Sequence, residues 1–341
     1  MTDTLHEKYS RQMLFAAIGP LGQLRLLASR VVLVGCGAIG AATANLLVRA
    51  GVGSLRIIDR DFVESSNLQR QTLFEESDAR ESLPKALAAQ RRLRSINSDV
   101  QVESVIADLN PKNATELLSG FPLILDGTDN FETRFLINDF AVSSGTPWIY
   151  AAAVSSYGVS LTIRPGQSAC LACLMDSSSG VGLEDTCDTI GVLGPAVNLI
   201  ASLQSSEAIK FLSGSESALS GRLISCDVWS GRFQSILPQR NPECRACVRH
   251  EFTYLHGEAQ PHITMCGRDS VQIHEHSRAL DLRALEKRLG ATIANVKQNG
   301  FLLRFRVAPY EITVFADGRA MIKGTTDPSV ARSLYAKYLG S

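Results

Sequence analysis

Two pairs of cysteines in this sequence have the spacing at which thiolates bind a metal ion. Each pair forms a Cys-x-x-Cys motif, the first from Cys170 and Cys173 and the second from Cys244 and Cys247. If folding brings the pairs together, they supply the four thiolates of a tetrahedral structural Zn²⁺ site. Residues 174–243 separate the pairs, a stretch too long for a zinc finger, so the metal would join distant parts of a larger domain. Redox-active or disulfide-bonded cysteines are the alternative interpretation.

A glycine-rich sequence near the N-terminus has the composition of a phosphate-binding turn. Gly35, Gly37 and Gly40 form a G-x-G-x-x-G motif between an apolar run and a predicted helix. In that setting, backbone N–H groups and the helix N-terminus bind a phosphate group. Asp59 ends the next apolar run, at the separation where an acid hydrogen-bonds ribose hydroxyls. The motif predicts a nucleotide site, and taken alone it favours a dinucleotide dehydrogenase.

Four other side chains suit a nucleoside triphosphate better than a nicotinamide: Asn67, Arg70, Lys85 and Asp129. Polar and cationic groups can bind the phosphates, and a carboxylate can hold Mg²⁺. Attack on an α-phosphate needs such groups, because it is catalysed mainly by positioning and electrostatics. The alternative for Asn67 and Arg70 is a polar surface turn. For Lys85 the alternative is a solvated lysine at a helix end, and for Asp129 it is a helix N-cap.

The elements that must position these residues alternate between buried strands and helices. Strands are predicted at residues 30–34, 54–59, 100–106, 122–126 and 148–151, and helices end near residue 50 and cover 83–96, 110–119 and 131–144. This alternation is typical of a doubly wound, Rossmann-like parallel sheet, in which ligands bind at the carboxyl ends of the strands. The predicted fold class is therefore α/β.

The pattern changes after residue 151. A strand at 157–164, a long helix at 195–212 and two strands within 221–237 predict an antiparallel extension that carries both cysteine pairs. We expect residues 1–255 to form one domain with this four-cysteine zinc site, and residues 263–341 to form a small α+β accessory domain. Its predicted elements are a first strand, a helix at 279–289, strands at 292–297, 301–307, 310–315 and 319–323, and a helix at 327–338.

Composition narrows the classes of protein to which the chain could belong. It has 341 residues, a formal net charge of zero and 45% hydrophobic residues, as in ordinary globular proteins. Neutral charge argues against nucleic acid or a membrane surface as partner, and no apolar run approaches the ~20 residues of a membrane span. The N-terminal sequence lacks the features of a signal peptide. With eight cysteines in a chain of this size, a reducing, cytoplasmic location is expected.

Several separated motifs, in this order, resemble the ThiF/MoeB/HesA superfamily, the prokaryotic relatives of ubiquitin-activating enzymes. The resemblance covers about residues 5–250. The motifs are Tyr9-Ser10-Arg11-Gln12, the glycine turn, Asp59-Arg60-Asp61, Ser66-Asn67-Leu68-Gln69-Arg70-Gln71, Lys85, Thr128-Asp129-Asn130, Thr186-Cys187 before Gly191-Val192-Leu193-Gly194-Pro195, and both cysteine pairs.

The resemblance implies ATP-dependent adenylation of the C-terminal glycine of a small ubiquitin-like sulfur-carrier protein of the ThiS or MoaD type, with release of pyrophosphate. It implies a homodimer in which Arg11 reaches the neighbouring subunit's nucleotide site. The implied nucleotide-binding residues are Gly35, Gly37, Gly40, Asp59, Asp61 and Asn67. The implied catalytic residues are Arg11, Arg70, Lys85, Asp129, which would hold Mg²⁺, and Cys187. The implied zinc ligands are Cys170, Cys173, Cys244 and Cys247.

Some questions stay open at the level of sequence. Cys187 could form a covalent link to the carrier or be passive, whereas Cys36, Cys226 and Cys266 are most simply core or unpaired thiols. The C-terminal stretch has no rhodanese-type loop, so sulfur is expected to come from a separate donor. It does not end in Gly-Gly, so it is not expected to be a fused carrier. The alternative functions are a nicotinamide-dependent oxidoreductase with structural zinc and a non-catalytic nucleotide-binding scaffold. The carrier and its pathway are not identified.

Overall fold

The computed structural model describes residues 7–175, 190–258, 270–273, 280–316 and 318–339. The chain divides into two compact units. The first comprises Met1–Arg80 and Pro84–Ala259, and the second comprises Glu81–Leu83 and Gln260–Ser341. No helix in the described ranges is long and apolar enough to cross a membrane.

The first unit is built on an eight-stranded sheet with the order β3-β2-β1-β4-β5-β6-β7-β8. The first five strands in that order pair in parallel, and β5 to β8 pair as antiparallel neighbours. The strands are β1 (Arg30–Val34), β2 (Ser54–Ile58), β3 (Gln101–Val105), β4 (Ile124–Asp126), β5 (Trp148–Val154), β6 (Tyr157–Ile163), β7 (Leu223–Asp227) and β8 (Arg232–Ile236).

Helices connect and cover these strands. They are α1 (Ser10–Met13), α2 (Gly19–Ala28), α3 (Ala38–Ala50), α4 (Glu76–Arg80), α5 (Lys85–Ile96), α6 (Ala114–Leu118), α7 (Phe131–Ser144), α8 (Leu171–Leu174) and α9 (Gly194–Ser213). Short 3₁₀ turns lie at Ser65–Asn67 and Glu216–Ala218. The two 3₁₀ turns and the short helices α1, α4 and α8 have no counterpart among the predicted elements, since so few residues rarely show a helical period. The helix predicted at 110–119 is present only as the five-residue α6.

The sheet is covered on both faces, which explains why its central strands are nearly continuous apolar runs. On one face, Val32 and Val34 pack with Phe135 and Phe140 of α7 in a core that also contains the cysteine pairs. On the other face, residues of α3 and α9 pack against β5 and β7 in a second cluster: Ile39, Ala42, Ala151, Val197, Ile200, Ala201 and Cys226. The predicted doubly wound α/β sheet with an antiparallel extension is confirmed.

The second unit contains a five-stranded antiparallel sheet with the order β10-β11-β12-β13-β9. Helices α10 (Leu282–Gly290) and α11 (Pro328–Leu339) complete it. Its own core joins both helices to the sheet through residues such as Leu285, Phe305 and Tyr335. The predicted α+β class of this region is confirmed. The strands are β9 (Ser270–Ile273), β10 (Lys297–Gln298), β11 (Leu302–Val307), β12 (Tyr310–Phe315) and β13 (Ala320–Lys323).

One predicted strand in the second unit is wrong for most of its length. Of residues 292–297, only the last pairs, in the two-residue strand Lys297–Gln298. Thr292 and Ile293 donate backbone hydrogen bonds to Leu289 and so continue the turn at the end of α10. Asn295 adopts a positive φ of 62°, which interrupts an extended chain.

Candidate active site

The glycine turn lies where the strand order of the sheet reverses, between β1 and β4, which is where ligands bind in this type of fold. Gly35 has a φ of +86°, and a Cβ there would lie 2.6 Å from the carbonyl oxygen of Gly127. A Cβ on Gly40 would lie 2.0 Å from the carbonyl oxygen of Gly35. These two glycines therefore allow the turn after β1 to pack against the loop after β4. A Cβ on Gly37 would meet nothing nearer than 3.9 Å, so its backbone faces space that a phosphate could occupy.

Asp59 is bound to the glycine turn by its carboxylate. One oxygen accepts a hydrogen bond of 2.5 Å from the backbone N–H of Cys36, and the other accepts one of 2.7 Å from that of Asp61. Burial raises the pKa of Asp59 to about 6, although the charge of Lys85 opposes this rise. Each oxygen keeps a lone pair for a ligand hydroxyl. The geometry fits the implied contact with a ribose.

Lys85 begins α5 and is held by Asp61 through two contacts. Its Nζ lies 3.0 Å from Oδ2 of Asp61, and its backbone N–H donates to the Asp61 carbonyl at 2.8 Å. Burial opposes the charged form, but the charges of Asp61 and Asp59 outweigh it and raise the pKa of Lys85 above its ordinary value. Only 9% of the side chain is exposed, so the interpretation of Lys85 as a solvated lysine is wrong. The charged form of Lys85 is therefore favoured by the two acids near the glycine turn.

Asn67 and Arg70 lie in a folded loop. Asn67 is buried, and its Oδ1 accepts a hydrogen bond of 3.3 Å from the backbone N–H of Glu64 across a 3₁₀ turn. Arg70 is partly exposed and donates to the carbonyl of Ser66 at 2.9 Å. The loop contacts the beginning of α9, because a Cβ on Gly194 would lie 3.3 Å from the Gln69 carbonyl. The amide of Asn67 therefore stabilises the turn that presents Arg70.

The loop after β4 contains two acids with different environments. Asp126 is fully buried, and the backbone N–H and hydroxyl of Thr128 donate to its Oδ1 at 2.8 and 2.6 Å. Asp129 is exposed, and its charge acts on the cations Arg60, Lys85 and Arg134. Asn130 caps α7 by accepting a hydrogen bond from the N–H of Thr133, so the interpretation of Asp129 as the N-cap is wrong. Of these two acids, Asp129 is therefore the one that is accessible to solvent.

Arg11 lies on α1, which is anchored at the end of α3 remote from the glycine turn. The hydroxyl of Tyr9 accepts a hydrogen bond of 2.8 Å from Asn97, and Gln12 donates to the carbonyl of Ala50 at 2.9 Å. Because α3 has 13 residues, this anchor lies about 20 Å along the helix from the turn. Arg11 is exposed and does not join the other candidate residues within its own chain.

The four cysteines come together as predicted. The Sγ atom of Cys170 lies 3.8 Å from that of Cys173 and 3.6 Å from that of Cys244. The Sγ atoms of Cys173 and Cys247 are 3.4 Å apart. All four lie within 4.8 Å of one another. A tetrahedral zinc with Zn–S bonds of about 2.3 Å would place its sulfurs about 3.8 Å apart. The separations fit zinc and are far longer than the ~2.05 Å of a disulfide bond.

Replacing Cys244 by serine should remove the zinc and destabilise the first unit, because three thiolates leave the tetrahedral shell incomplete. A loss of about 3 kcal/mol would lower the unfolding midpoint by about 10 °C. Elemental analysis and thermal unfolding measure both effects. Cys226→Ser is the matched control, since Cys226 is a buried cysteine outside the cluster and should leave the zinc content unchanged. An unchanged metal content in Cys244→Ser would contradict the assignment.

The remaining cysteines are accounted for where the structure describes them. Cys36 and Cys226 are buried free thiols, as predicted. Cys187 and Cys266 lie outside the described residues, so the questions about them remain at the level of sequence.

Comparison with known proteins identifies the family. Residues 9–246 match the model of the ThiF family. The chain belongs to the ThiF family. It is 44% identical to the sulfur carrier protein ThiS adenylyltransferase of Bacillus subtilis over 337 residues, which cover 98% of this chain and 99% of that protein.

Two further relatives agree with this membership in the ThiF family. The sulfur carrier protein adenylyltransferase of Thermus thermophilus is 38% identical over 246 residues, covering 71% of this chain and 90% of that protein. The crystal structure of E. coli MccB with ATP superposes with a TM-score of 0.62 at 26% identity, covering 70% of this chain and 74% of that chain.

These findings confirm the predicted superfamily and the predicted enzyme class, an adenylyltransferase. Membership in this enzyme class implies that the protein uses ATP. The alternative of a nicotinamide-dependent oxidoreductase finds no support among these relatives.

Sequence reasoning missed two residues of the site. Arg134 and Asp126 link the loop after β4 to α7 and β5, and neither was among the candidates. The available signal was weak, because an arginine four positions after Asn130 reads as an ordinary helix residue.

Proposed function

We propose that this enzyme adenylates the C-terminal glycine of a ThiS-type ubiquitin-like sulfur carrier, using ATP with Mg²⁺ and releasing pyrophosphate. The observation that carries the proposal is the convergence of three elements at one sheet edge. These are the glycine turn with Asp59, the partly buried ion pair of Lys85 and Asp61, and the loop that carries Asp129.

The reaction transfers AMP to a carboxylate. An oxygen of the carrier's terminal carboxylate attacks the α-phosphorus, the bond from that phosphorus to the bridging oxygen of the β-phosphate breaks, and pyrophosphate leaves with the electron pair. Asp59 would orient the ribose and the glycine turn the phosphates, while Lys85 and Arg70 would neutralise charge that develops on them. Asp129 would hold Mg²⁺, which supplies further positive charge to the phosphate oxygens.

The charges of the site explain why more cations are required. Lys85 and Arg60 lie among the acids Asp59, Asp61 and Asp129, and Arg60 is also paired with Asp108 at 2.8 Å. Both substrates are anions, so these two cations alone leave the reacting phosphate under-neutralised. Mg²⁺, Arg70 and one additional arginine would correct the balance.

We assign the additional arginine to Arg11 of a second copy, as the family resemblance implies. The anchor of α1 at Ala50 places Arg11 too far from its own glycine turn. Large apolar side chains within ten residues after Arg11 in the sequence are exposed, at 75% for Leu14, 63% for Phe15 and 72% for Leu21. Apolar side chains clustered in this way mark a surface that another protein covers. A homodimer would bury them and bring each Arg11 to the partner's site.

The type of carrier is inferred from how far the relatives match. The Bacillus subtilis ThiS adenylyltransferase matches 98% of this chain, and the Thermus thermophilus carrier adenylyltransferase matches 71%. A match that includes the second unit favours a ThiS-type carrier. We propose that the accessory domain at residues 263–341 contributes to binding the carrier or a separate sulfur donor. The first domain, residues 1–255 with the zinc site, would carry out adenylation.

Exchange of labelled pyrophosphate into ATP tests the proposal. We expect exchange that requires Mg²⁺ and a ThiS-type carrier ending in Gly-Gly, with no turnover of NAD. A carrier shortened by its last glycine is the matched control and should support none. Exchange that proceeds without any carrier protein would count against the proposal.

Binding of the nucleoside should depend on pH through Asp59. Below its pKa of about 6 the carboxyl takes up a proton and loses its negative charge, so the hydrogen bonds that it accepts from ribose hydroxyls weaken. Adenosine affinity, measured by calorimetry, should therefore be constant above pH 7 and fall by up to about tenfold per unit well below pH 6. Adenosine is the suitable probe because it has no phosphate that titrates in this range. The inflection should vanish in Asp59→Asn, and its persistence there would assign it to another group.

A further inference from the structure

Arg134 is a buried arginine that joins three parts of the candidate site. Its Nε donates to Oδ2 of Asp126 at 3.1 Å, and its Nη2 donates to the carbonyls of Thr128 at 2.6 Å and Ala151 at 3.3 Å. The guanidinium therefore connects α7, from which it projects, with the end of β4, the following loop and β5. Only 6% of its side chain is exposed, so these bonds are sheltered from water.

Aromatic rings and a buried carboxylate fix the orientation of this side chain. The guanidinium carbon lies 5.3 Å from the ring centre of Phe131 and 5.4 Å from that of Tyr150. Burial opposes the charge of Arg134, but Asp126, Tyr150 and Asp129 outweigh it and raise the pKa above its ordinary value. A planar cation with several fixed donors suits this arrangement, and a lysine cannot reproduce it.

The bonds of Arg134 act on the backbone that carries Asp129. The carboxylate of Asp126 accepts hydrogen bonds from Arg134, from Thr128 and from the backbone N–H of Ala151. Both of its oxygens are therefore bonded within the protein. The carbonyl of Thr128, which Arg134 binds, belongs to the peptide unit that leads into Asp129. A shift of that unit would move the carboxylate of Asp129, because no other residue lies between them.

We propose that Arg134 is the positioning residue that sets Asp129 for Mg²⁺ by fixing the carbonyl of Thr128. It does not touch nucleotide or metal itself. Its role rests on the proposed function to the extent that Asp129 is the Mg²⁺ ligand, but it can be measured in a binding experiment that needs no carrier.

Arg245 provides a matched control within the same unit. It is a partly buried cation paired with a fully buried acid, with its Nη1 3.1 Å from Oδ1 of Asp139 and 3.0 Å from the carbonyl of Glu251. Its guanidinium also lies near two rings, 5.6 Å from the centre of Phe135 and 5.1 Å from that of Tyr254. The difference is that Arg245 follows Cys244 in the second cysteine pair and has no contact with the Asp129 loop among its described bonds.

The experiment compares Arg134→Lys with Arg245→Lys. Each variant is titrated with ATP by calorimetry over a series of Mg²⁺ concentrations, with thermal unfolding and zinc content recorded in parallel. Both substitutions should lower the unfolding midpoint. Arg134→Lys alone should raise the Mg²⁺ concentration that gives half of the maximal increase in ATP affinity, by about tenfold, with ATP affinity in the absence of Mg²⁺ unchanged. Phe131→Leu, which keeps Arg134 but loosens its stacking, should shift the Mg²⁺ requirement in the same direction by a smaller factor.

Equal Mg²⁺ requirements for Arg134→Lys, Phe131→Leu and the unsubstituted protein would overturn the proposal, and so would an equal shift in Arg245→Lys. If Arg134→Lys does not fold, the Phe131→Leu result decides. If the unsubstituted protein binds ATP with Mg²⁺ but exchanges no pyrophosphate with any carrier, the proposed function fails, whereas the role of Arg134 is still tested.

Discussion

Replacing Asp129 or Lys85 by alanine should lower ATP–pyrophosphate exchange by about 10²-fold or more. Asp129 would hold Mg²⁺ on the phosphates, and Lys85 is a sheltered cation beside the glycine turn, so each stabilises charge that develops in the transition state. The measurement is the exchange rate at saturating ATP and carrier. Thermal unfolding should show that both variants keep the fold, with Lys85→Ala the less stable because it removes the nearer of two cations paired with Asp61 and leaves only Arg60.

Lys210→Ala is the control for Lys85→Ala. Lys210 also forms an ion pair, at 2.6 Å from Glu207, but it lies near the C-terminal end of α9 and away from the glycine turn. It should retain normal exchange. Near-normal exchange in Asp129→Ala would remove the Mg²⁺ assignment, and equal rates for the two lysine variants would show that Lys85 has no part in catalysis.

Mixing two inactive variants, Arg11→Ala and Asp129→Ala, should restore activity if Arg11 acts across a dimer. In a mixed dimer, one site has an intact Asp129 and receives an intact Arg11 from the partner, while the other site lacks both. Random exchange of subunits makes half of the dimers mixed, so roughly a quarter of the unsubstituted activity should return. The measurement is pyrophosphate exchange before and after the subunits are allowed to re-equilibrate.

The control for this mixture is each variant incubated alone under the same conditions, which should stay inactive. Subunit exchange must be shown separately, for example by co-purification of differently tagged chains. If exchange of subunits occurs and no activity returns, Arg11 works within its own chain or has no role in the reaction.

The sequence predicted two kinds of feature well: the repeated alternation of strands and helices, and motifs with a fixed spacing of residues. The strand and helix alternation up to residue 151 repeats the same physical unit several times, so each βα segment supported the next. Each Cys-x-x-Cys motif places two thiolates on one turn, so only the meeting of the two pairs remained to be found. The burial of Lys85 could not be predicted, because a lysine at a helix start is usually solvated.

The features that sequence missed depend on contacts between distant segments. Arg134 gains its role from Asp126, Thr128 and Ala151, which meet only after the sheet has formed. Asn130, rather than Asp129, caps α7. The sequence pattern does not show which of two neighbouring polar residues will be the N-cap. The strand expected at 292–297 is mostly absent because Thr292 and Ile293 continue the turn after α10 and Asn295 has a positive φ, which the sequence pattern does not show.

Intact-mass analysis of the carrier tests the central claim most directly. The enzyme is incubated with ATP, Mg²⁺ and a ThiS-type carrier ending in Gly-Gly, with pyrophosphatase present to draw the reaction forward, and fragmentation then locates any modification. We predict a mass increase of one adenylyl group on the terminal glycine. This increase should be absent when Mg²⁺ is omitted or when the Asp129→Ala variant is used in place of the unsubstituted enzyme. A carrier that stays unmodified while the enzyme binds both ATP and carrier would contradict the account.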